Sequence, residues 1–180
     1  RTLDLPRDPA QQIQVLEAGA GTGAITRQIL AKLQPGDRLA AYEINARLAD
    51  LLKRELQPVA ERRDIRFDVV CEAVQSVAED ETFDAVISGL PFTNFGPEVV
   101  NEIFHTFFRI LGSKGTISFY GYLAVNKAGR LMSSRAEKER LREVERAVDA
   151  WCARCKHERD LVLLNVPPAW ARHIFIGEQS

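Results

Sequence analysis

The sequence predicts an α/β domain on a doubly wound, mostly parallel sheet of seven strands that ends in an antiparallel pair. Three observations carry this expectation. Short apolar runs alternate with longer stretches whose apolar residues recur at helical spacing. A cluster of glycines follows the first run at once, and the last two runs stand too close together for a crossover helix, which forces them to pair antiparallel.

Gln12 to Ala18 reads as the first strand, and Gly19, Gly21 and Gly23 as a loop. Ile25, Ile29, Leu30 and Leu33 then form the apolar stripe of a helix, which Pro35-Gly36-Asp37 ends. Leu39 to Ile44 is the second strand, and Ala46 to Leu56 carries the next helical stripe. Ile65 to Cys71 and Phe83 to Ser88 are strands three and four, separated by a short helix at Ala73 to Ala78. Val99 to Leu111 is helical, and Gly115 to Gly121 is the fifth strand. Ser134 to about Cys155 is a long charged helix, and Leu161 to Val166 and His173 to Gly177 supply the final pair on either side of Pro167-Pro168.

With 180 residues, 46% hydrophobic and 27% charged, the chain is expected to form a single domain, 1–180, with a buried core. Its formal net charge of −1 excludes a global positive field that would gather nucleic acid or anionic lipid, so such a partner requires a local patch. No apolar run approaches the roughly 18 residues that span a bilayer. Cys71, Cys152 and Cys155 suit a reducing cytoplasm better than a disulfide framework. Cys152, Cys155 and His157 do not close a tetrahedral site, so no metal is expected. His105 sits in an aromatic helix and is assigned no catalytic role, and His173 has no partner visible in the sequence.

The segment Glu17-Ala18-Gly19-Ala20-Gly21-Thr22-Gly23 carries the most weight. Glycines at a strand-to-helix turn let a ligand approach bare amides; a side chain at Gly19 or Gly21 is expected to fill ligand space, and Thr22 to cap the helix. Glu43, about 20 residues on, stands where a carboxylate accepts from both hydroxyls of a ribose. The loop also fits a looser dinucleotide fingerprint through Gly19, Gly21 and Ala24. Glu17 argues against a pyrophosphate there, because its charge suits a cationic, amine-bearing ligand.

Glu-x-Gly-x-Gly-x-Gly, the acid after the second strand and the closing antiparallel pair resemble the class I S-adenosylmethionine-dependent methyltransferases, with their Rossmann-like fold. The resemblance implies that Glu17, Gly19, Gly21, Thr22 and Gly23 meet the methionine part of S-adenosyl-L-methionine, whose product is S-adenosyl-L-homocysteine. It places Glu43 at the ribose and Glu72 at the adenine amino group, with Ile44, Ala73 and Ser88 also among the donor-binding residues.

Ser88-Gly89-Leu90-Pro91-Phe92 follows strand four, where this fold presents the methyl acceptor. Ribosomal RNA adenine dimethylases carry an asparagine where this chain has Gly89, which removes a side-chain acceptor for a base. Ser-Gly-Leu-Pro-Phe-x-Asn-Phe, Pro97-Glu98-Val99-Val100, Phe119-Tyr120-Gly121-Tyr122 and Asn165-Val166-Pro167-Pro168-Ala169 resemble bacterial phospholipid N-methyltransferases. That family implies transfer to the amine of phosphatidylethanolamine or its partly methylated forms. It also implies a cytoplasmic, peripheral position on the inner membrane face, with no stable nucleic acid partner. The family has a helical segment before its first strand, which a chain starting at Arg1 is expected to lack.

The catalytic candidates are Ser88 and the Leu90 carbonyl as amine acceptors, with Phe92, Tyr120 and Tyr122 as aromatic faces for a cation. Lys127, Arg130, Arg135, Lys138, Arg140 and Arg142, against Glu137 and Glu139, form the local basic patch expected to meet a lipid phosphate. A solvated helix with paired charges is the plain alternative. An RNA adenine N6-methyltransferase, a non-catalytic donor-binding module and a nicotinamide-dependent oxidoreductase are the competing functions.

Overall fold

The computed structural model describes Leu5 and residues 11–122, 134–162 and 169–177, with main chain alone at 121–122, 160–162 and 169–170. Its strands are β1 Gln14–Ala18, β2 Arg38–Tyr42, β3 Arg66–Val70, β4 Ala85–Ser88, β5 Gly115–Tyr122, β6 Lys156–Val162 and β7 Ala169–Ile176. The helices are α1 Ala24–Lys32, α2 Ala46–Arg62, α3 Pro97–Ile110 and α4 Arg135–Cys152. One seven-stranded sheet runs in the order β3-β2-β1-β4-β5-β7-β6. The first five strands are parallel, and β7 pairs antiparallel with both β5 and β6. The direction of winding reverses between β1 and β4, so the carboxyl ends of these two strands open the crevice where such sheets bind ligands.

Side-chain alternation along the strands divides the core in two. Leu16, Ala18, Ala40, Val86 and Ile117 face one layer with Phe104 and Phe107 of α3 and Val144, Val148 and Trp151 of α4. Val15, Leu39, Ala41, Ala85 and Ile87 face the other with Ile29 and Leu30 of α1 and Leu52, Leu56 and Ala60 of α2.

The boundaries differ from expectation where packing or polar contacts overrule local pattern. α2 continues through Pro58 because Ala60, fully buried, extends the stripe of Ala49, Leu52 and Leu56. The helix expected at Ala73 to Ala78 is a single 3-10 turn, Val74–Ser76. Arg109 of α3 donates to the Val77 and Ala78 carbonyls at 2.8 and 3.0 Å, which satisfies that stretch from outside. β6 begins at Lys156 rather than Leu161. It lies at the sheet edge, where Lys156, His157, Glu158 and Arg159 are exposed, a polar strand that a search for apolar runs misses. Residues 163–168, including Pro167-Pro168, fall outside the described residues. His173 does have a partner: its Nδ1 lies 2.8 Å from Ser118 Oγ, directly across the β5–β7 pair.

Phe104 is fully buried, stacked on Phe92 with centroids 5.2 Å apart and on Trp151 at 6.0 Å. Replacing it with alanine removes the ring that joins α3, α4 and the segment after β4. The expected cost is about 3–5 kcal/mol, read as a lower midpoint in chemical unfolding.

Candidate functional site at the carboxyl edge of the sheet

The loop after β1 uses three glycines in the left-handed region: Gly19 at φ 75°, Gly21 at φ 57° and Gly23 at φ 81°. Main-chain bonds hold it in that shape. Gly19 and Ala20 both donate to the Tyr42 carbonyl, at 2.9 and 3.2 Å, so the end of β2 anchors the loop. A β-carbon at Gly21 would meet nothing within 4 Å, which leaves open space above its backbone. At Gly19 the space is not open, because a β-carbon there would lie 2.7 Å from Leu90 Cδ2. At Gly23 it would press on Leu52, so that glycine serves the packing of α1 on α2. Gly23, not Thr22, is the N-cap residue of α1, and no side chain caps the helix. Thr22 is exposed, and its carbonyl accepts from Arg27 Nη1 at 3.0 Å.

Glu43 follows β2 and is folded into the loop. Its Oε2 accepts from Gly21 N at 2.8 Å, and its Oε1 from Asn45 N at 2.8 Å. Asn45 in turn caps α2 by accepting from Arg47 N. A carboxylate offers about four acceptor positions, so one residue can staple the loop and retain capacity for ligand hydroxyls. The sequence pattern shows the acid but not the staple.

Glu17 lies beneath the loop, fully buried. The Asp37 and Asp84 carboxylates at the opposite edge accept from main-chain amides of Ile13 and Gln14 at 3.0 and 2.7 Å. By contrast, neither carboxylate oxygen of Glu17 has a hydrogen-bond partner of good geometry among the described residues. Burial pushes its pKa up to about 7, and the charge of Glu43 adds to the rise, while Thr26 beside it offsets part. A buried acid beside Thr26 and Glu43, with neither oxygen in a hydrogen bond of good geometry among the described residues, is a group that fits a cationic ligand.

Ile44, next to Glu43, is 75% exposed, and it is the exposed large hydrophobic residue among the described ones. The Cys71 thiol lies 3.9 Å from the Ile44 carbonyl, so Cys71, Glu72 and Ala73, all exposed, stand beside it. The structure thus brings Gly21, Glu43, Ile44, Glu72 and Ala73 to one edge.

The segment after β4 packs over the glycine loop. A β-carbon at Gly89 would lie 2.9 Å from the Gly19 carbonyl oxygen, a close backbone approach that excludes any side chain. Ser88 is fully buried and accepts from Leu90 N at 3.3 Å; the Leu90 carbonyl accepts from Phe92 N at 3.0 Å. Phe92, expected to offer an open aromatic face, is instead 8% exposed and packed on Phe104 and edge-on to Phe119, so its ring belongs to the core. Tyr120 is half-buried against the α1–α2 layer. Tyr122 ends β5 opposite Ala169, and its side chain lies outside the description.

The basic patch is also altered. Lys127 and Arg130 fall outside the described residues. Arg140 is turned inward to Glu137 and to the Thr93 and Phe95 carbonyls. Arg142 pairs with Glu139, leaving Arg135 and Lys138 as the cations of this helix start without an ion pair among the described residues.

The family described as Methyltransferase domain matches residues 15–115. An ornithine lipid N-methyltransferase from Singulisphaera acidiphila is 33% identical over 110 residues, covering 58% of this chain and 55% of that protein. An rRNA methyltransferase from Streptomyces thermotolerans is 38% identical over 87 residues, covering 48% of this chain and 26% of that protein. The chain thus spans about half or less of the curated relatives it matches. Among solved structures, the N-methyltransferase NodS from Bradyrhizobium japonicum WM9 has a TM-score of 0.62 at 14% identity, covering 92% of this chain and 86% of that one. The plantazolicin methyltransferase BpumL, solved with SAH, has a TM-score of 0.62 at 11% identity, covering 92% and 77%. Both likenesses are of fold. The chain belongs to the methyltransferase domain family, and S-adenosylmethionine is its methyl donor.

The raised acid gives a pH dependence with a definite sign. Below the unfolded pKa of 4.5 both states hold the proton; between 4.5 and about 7 only the folded state does, so folding stability falls as pH rises through this window. The expected loss from Glu17 alone is roughly 3 kcal/mol at 1.36 kcal/mol per pH unit. Glu17→Gln should flatten that part of the pH–stability curve of the ligand-free protein, measured by urea unfolding from pH 4.5 to 8.

Proposed function

We propose that this methyltransferase acts on the head-group amine of a membrane lipid, taking phosphatidylethanolamine or its partly methylated forms. The 33% identity with an ornithine lipid N-methyltransferase supports an amine-bearing lipid as acceptor. The structural observation that favours it over an adenine base is Gly89. With a β-carbon there only 2.9 Å from the Gly19 carbonyl, the segment has no room for an amide side chain that would grip a base.

In this reading Glu17 faces the ammonium of the donor, and the backbone at Gly19, Gly21, Thr22 and Gly23 lies along its methionine part. Glu43 uses its remaining lone pairs for the ribose hydroxyls. Ile44 covers an adenine face, Glu72 and Ala73 meet its edge, and Ser88 closes the donor site beneath the methyl group. S-adenosylmethionine supplies an electrophilic methyl group. The residues around it have only to exclude water and align a neutral amine for in-line attack, since positioning provides most of the acceleration in such a displacement. The head-group ammonium gives up one proton to solvent before attack, the neutral amine nitrogen forms the new bond to carbon, the sulfur keeps the electron pair of the broken one, and the product leaves as an ammonium.

Ser88 Oγ and the Leu90 carbonyl each accept one main-chain amide and retain a second lone pair for the amine N–H. With Phe92 committed to the core, the aromatic faces for the cation are Tyr120 and Tyr122. No helix among the described residues is long and apolar enough to cross a membrane. With a membrane lipid as acceptor, the reading puts the chain at the cytoplasmic membrane surface, with Arg135 and Lys138 toward anionic head groups.

With tritium in the donor methyl group, label is expected in the lipid extracted from phosphatidylethanolamine vesicles. Label in ribosomal RNA and none in lipid would select the adenine reading instead. Glu17→Gln is expected to weaken donor binding roughly tenfold to a hundredfold, the equivalent of one charged hydrogen bond of about 1.5–3 kcal/mol, measured by calorimetry at pH 8.

A further inference from the structure

We propose that Arg140, held by Glu137, is a positioning residue that sets the methyl-acceptor segment. It acts through the main chain of the turn Phe92–Asn94 and not through contact with substrate. The inference rests on reading Ser88 to Phe95 as the acceptor segment.

α4 starts with Ser134, whose Oγ accepts from Glu137 N at 3.2 Å. Ser134-Arg135-Ala136-Glu137 has the spacing of a capping box, in which the glutamate turns back to the amide of the cap residue. Here the Glu137 carboxylate is drawn away and takes the Arg140 guanidinium in two hydrogen bonds, through Nε at 2.9 Å and through Nη2. Aimed in this way, the guanidinium reaches across to the segment after β4. Nη1 donates to the Phe95 carbonyl, and Nη2 to the Thr93 carbonyl at 2.8 Å.

The turn it holds is short and made of local bonds: Phe92 N to the Leu90 carbonyl at 3.0 Å, Asn94 N to Pro91 at 2.8 Å and Phe95 N to Phe92 at 3.1 Å. At one end it continues into Leu90, which covers Gly19; at the other, Pro97 opens α3. The turn thus connects the glycine loop to α3, and Arg140 ties two of its carbonyls to α4. A planar guanidinium with a fork of donors can hold two carbonyls and a carboxylate at once, which a lysine ammonium on a flexible stem cannot. Ser88 stays fixed as the last residue of β4, so the expected consequence of loosening this tie is a misplaced Leu90 carbonyl, with loss of transfer at little-changed donor affinity.

The test compares Arg140→Lys, Arg140→Ala and Glu137→Gln with the wild type, each bound to S-adenosylmethionine. Expected are donor affinities within about twofold of wild type and amide exchange at Phe92, Asn94 and Phe95 at least tenfold faster, with exchange in β1 unchanged. Methyl transfer to phosphatidylethanolamine vesicles should fall at least tenfold in kcat/KM. Millimolar guanidinium ion should restore transfer to Arg140→Ala but not to Arg140→Lys.

Wild-type exchange at the three amides in Arg140→Lys, or exchange that speeds equally in β1 and in the turn, would overturn the proposal. Should the wild type itself leave the vesicles unlabelled, the lipid reading fails, and the exchange comparison still decides the tie. Should Arg140→Ala not fold, Arg140→Lys and Glu137→Gln carry the comparison.

Discussion

The site depends on a backbone that is kept bare without collapsing. Three alternate glycines at positive φ, Gly19, Gly21 and Gly23, carry a large conformational entropy in the unfolded chain, and open space above Gly21 offers no packing to offset it. Polar anchoring offsets it instead. The Tyr42 carbonyl takes two loop amides, and the Glu43 carboxylate takes a third while reaching the amide of Asn45, the cap of α2. The second strand, the second helix and the loop are therefore one mechanical unit, and any ligand that uses Glu43 meets a residue already set in place.

Glu17 is the counterweight. The Asp37 and Asp84 carboxylates accept from backbone amides, whereas neither carboxylate oxygen of Glu17 has a hydrogen bond of good geometry among the described residues, and Thr26 offsets only part of the cost of its burial. Ionising such an acid in low dielectric lowers stability, so it holds its proton up to about pH 7, and residues of this kind concentrate at functional sites. The same logic separates this site from a phosphate cradle: a loop built for pyrophosphate would not keep an acid beneath it.

Much of this was legible in the chain. The seven strands, the antiparallel closure and the cluster of glycines and acids follow from periodicity and spacing, and the structure has each of them. What was hidden depends on contacts distant in sequence. β6 is a polar edge strand, so Lys156 to Arg159 carry no apolar signal. Phe92 looks like a ring on a loop, and only the approach of Phe104 and Phe119 makes it core. Arg140 counts as one of six cations in a patch until its bonds to Glu137 and to carbonyls across a gap of more than forty residues turn it inward. Gly89 reads as a lost amide, and its cause, the nearness of the Gly19 carbonyl, is visible only in three dimensions.

Calorimetric titration of the wild-type protein with S-adenosylmethionine, repeated at pH 6 and pH 8 in buffers of different ionisation enthalpy, addresses the core of this account. If a buried, largely protonated Glu17 becomes the counter-ion of the donor's ammonium, affinity should rise with pH and close to one proton should be released per molecule bound at pH 6. Binding of equal strength at both pH values with no proton released, or no binding at all, would contradict it.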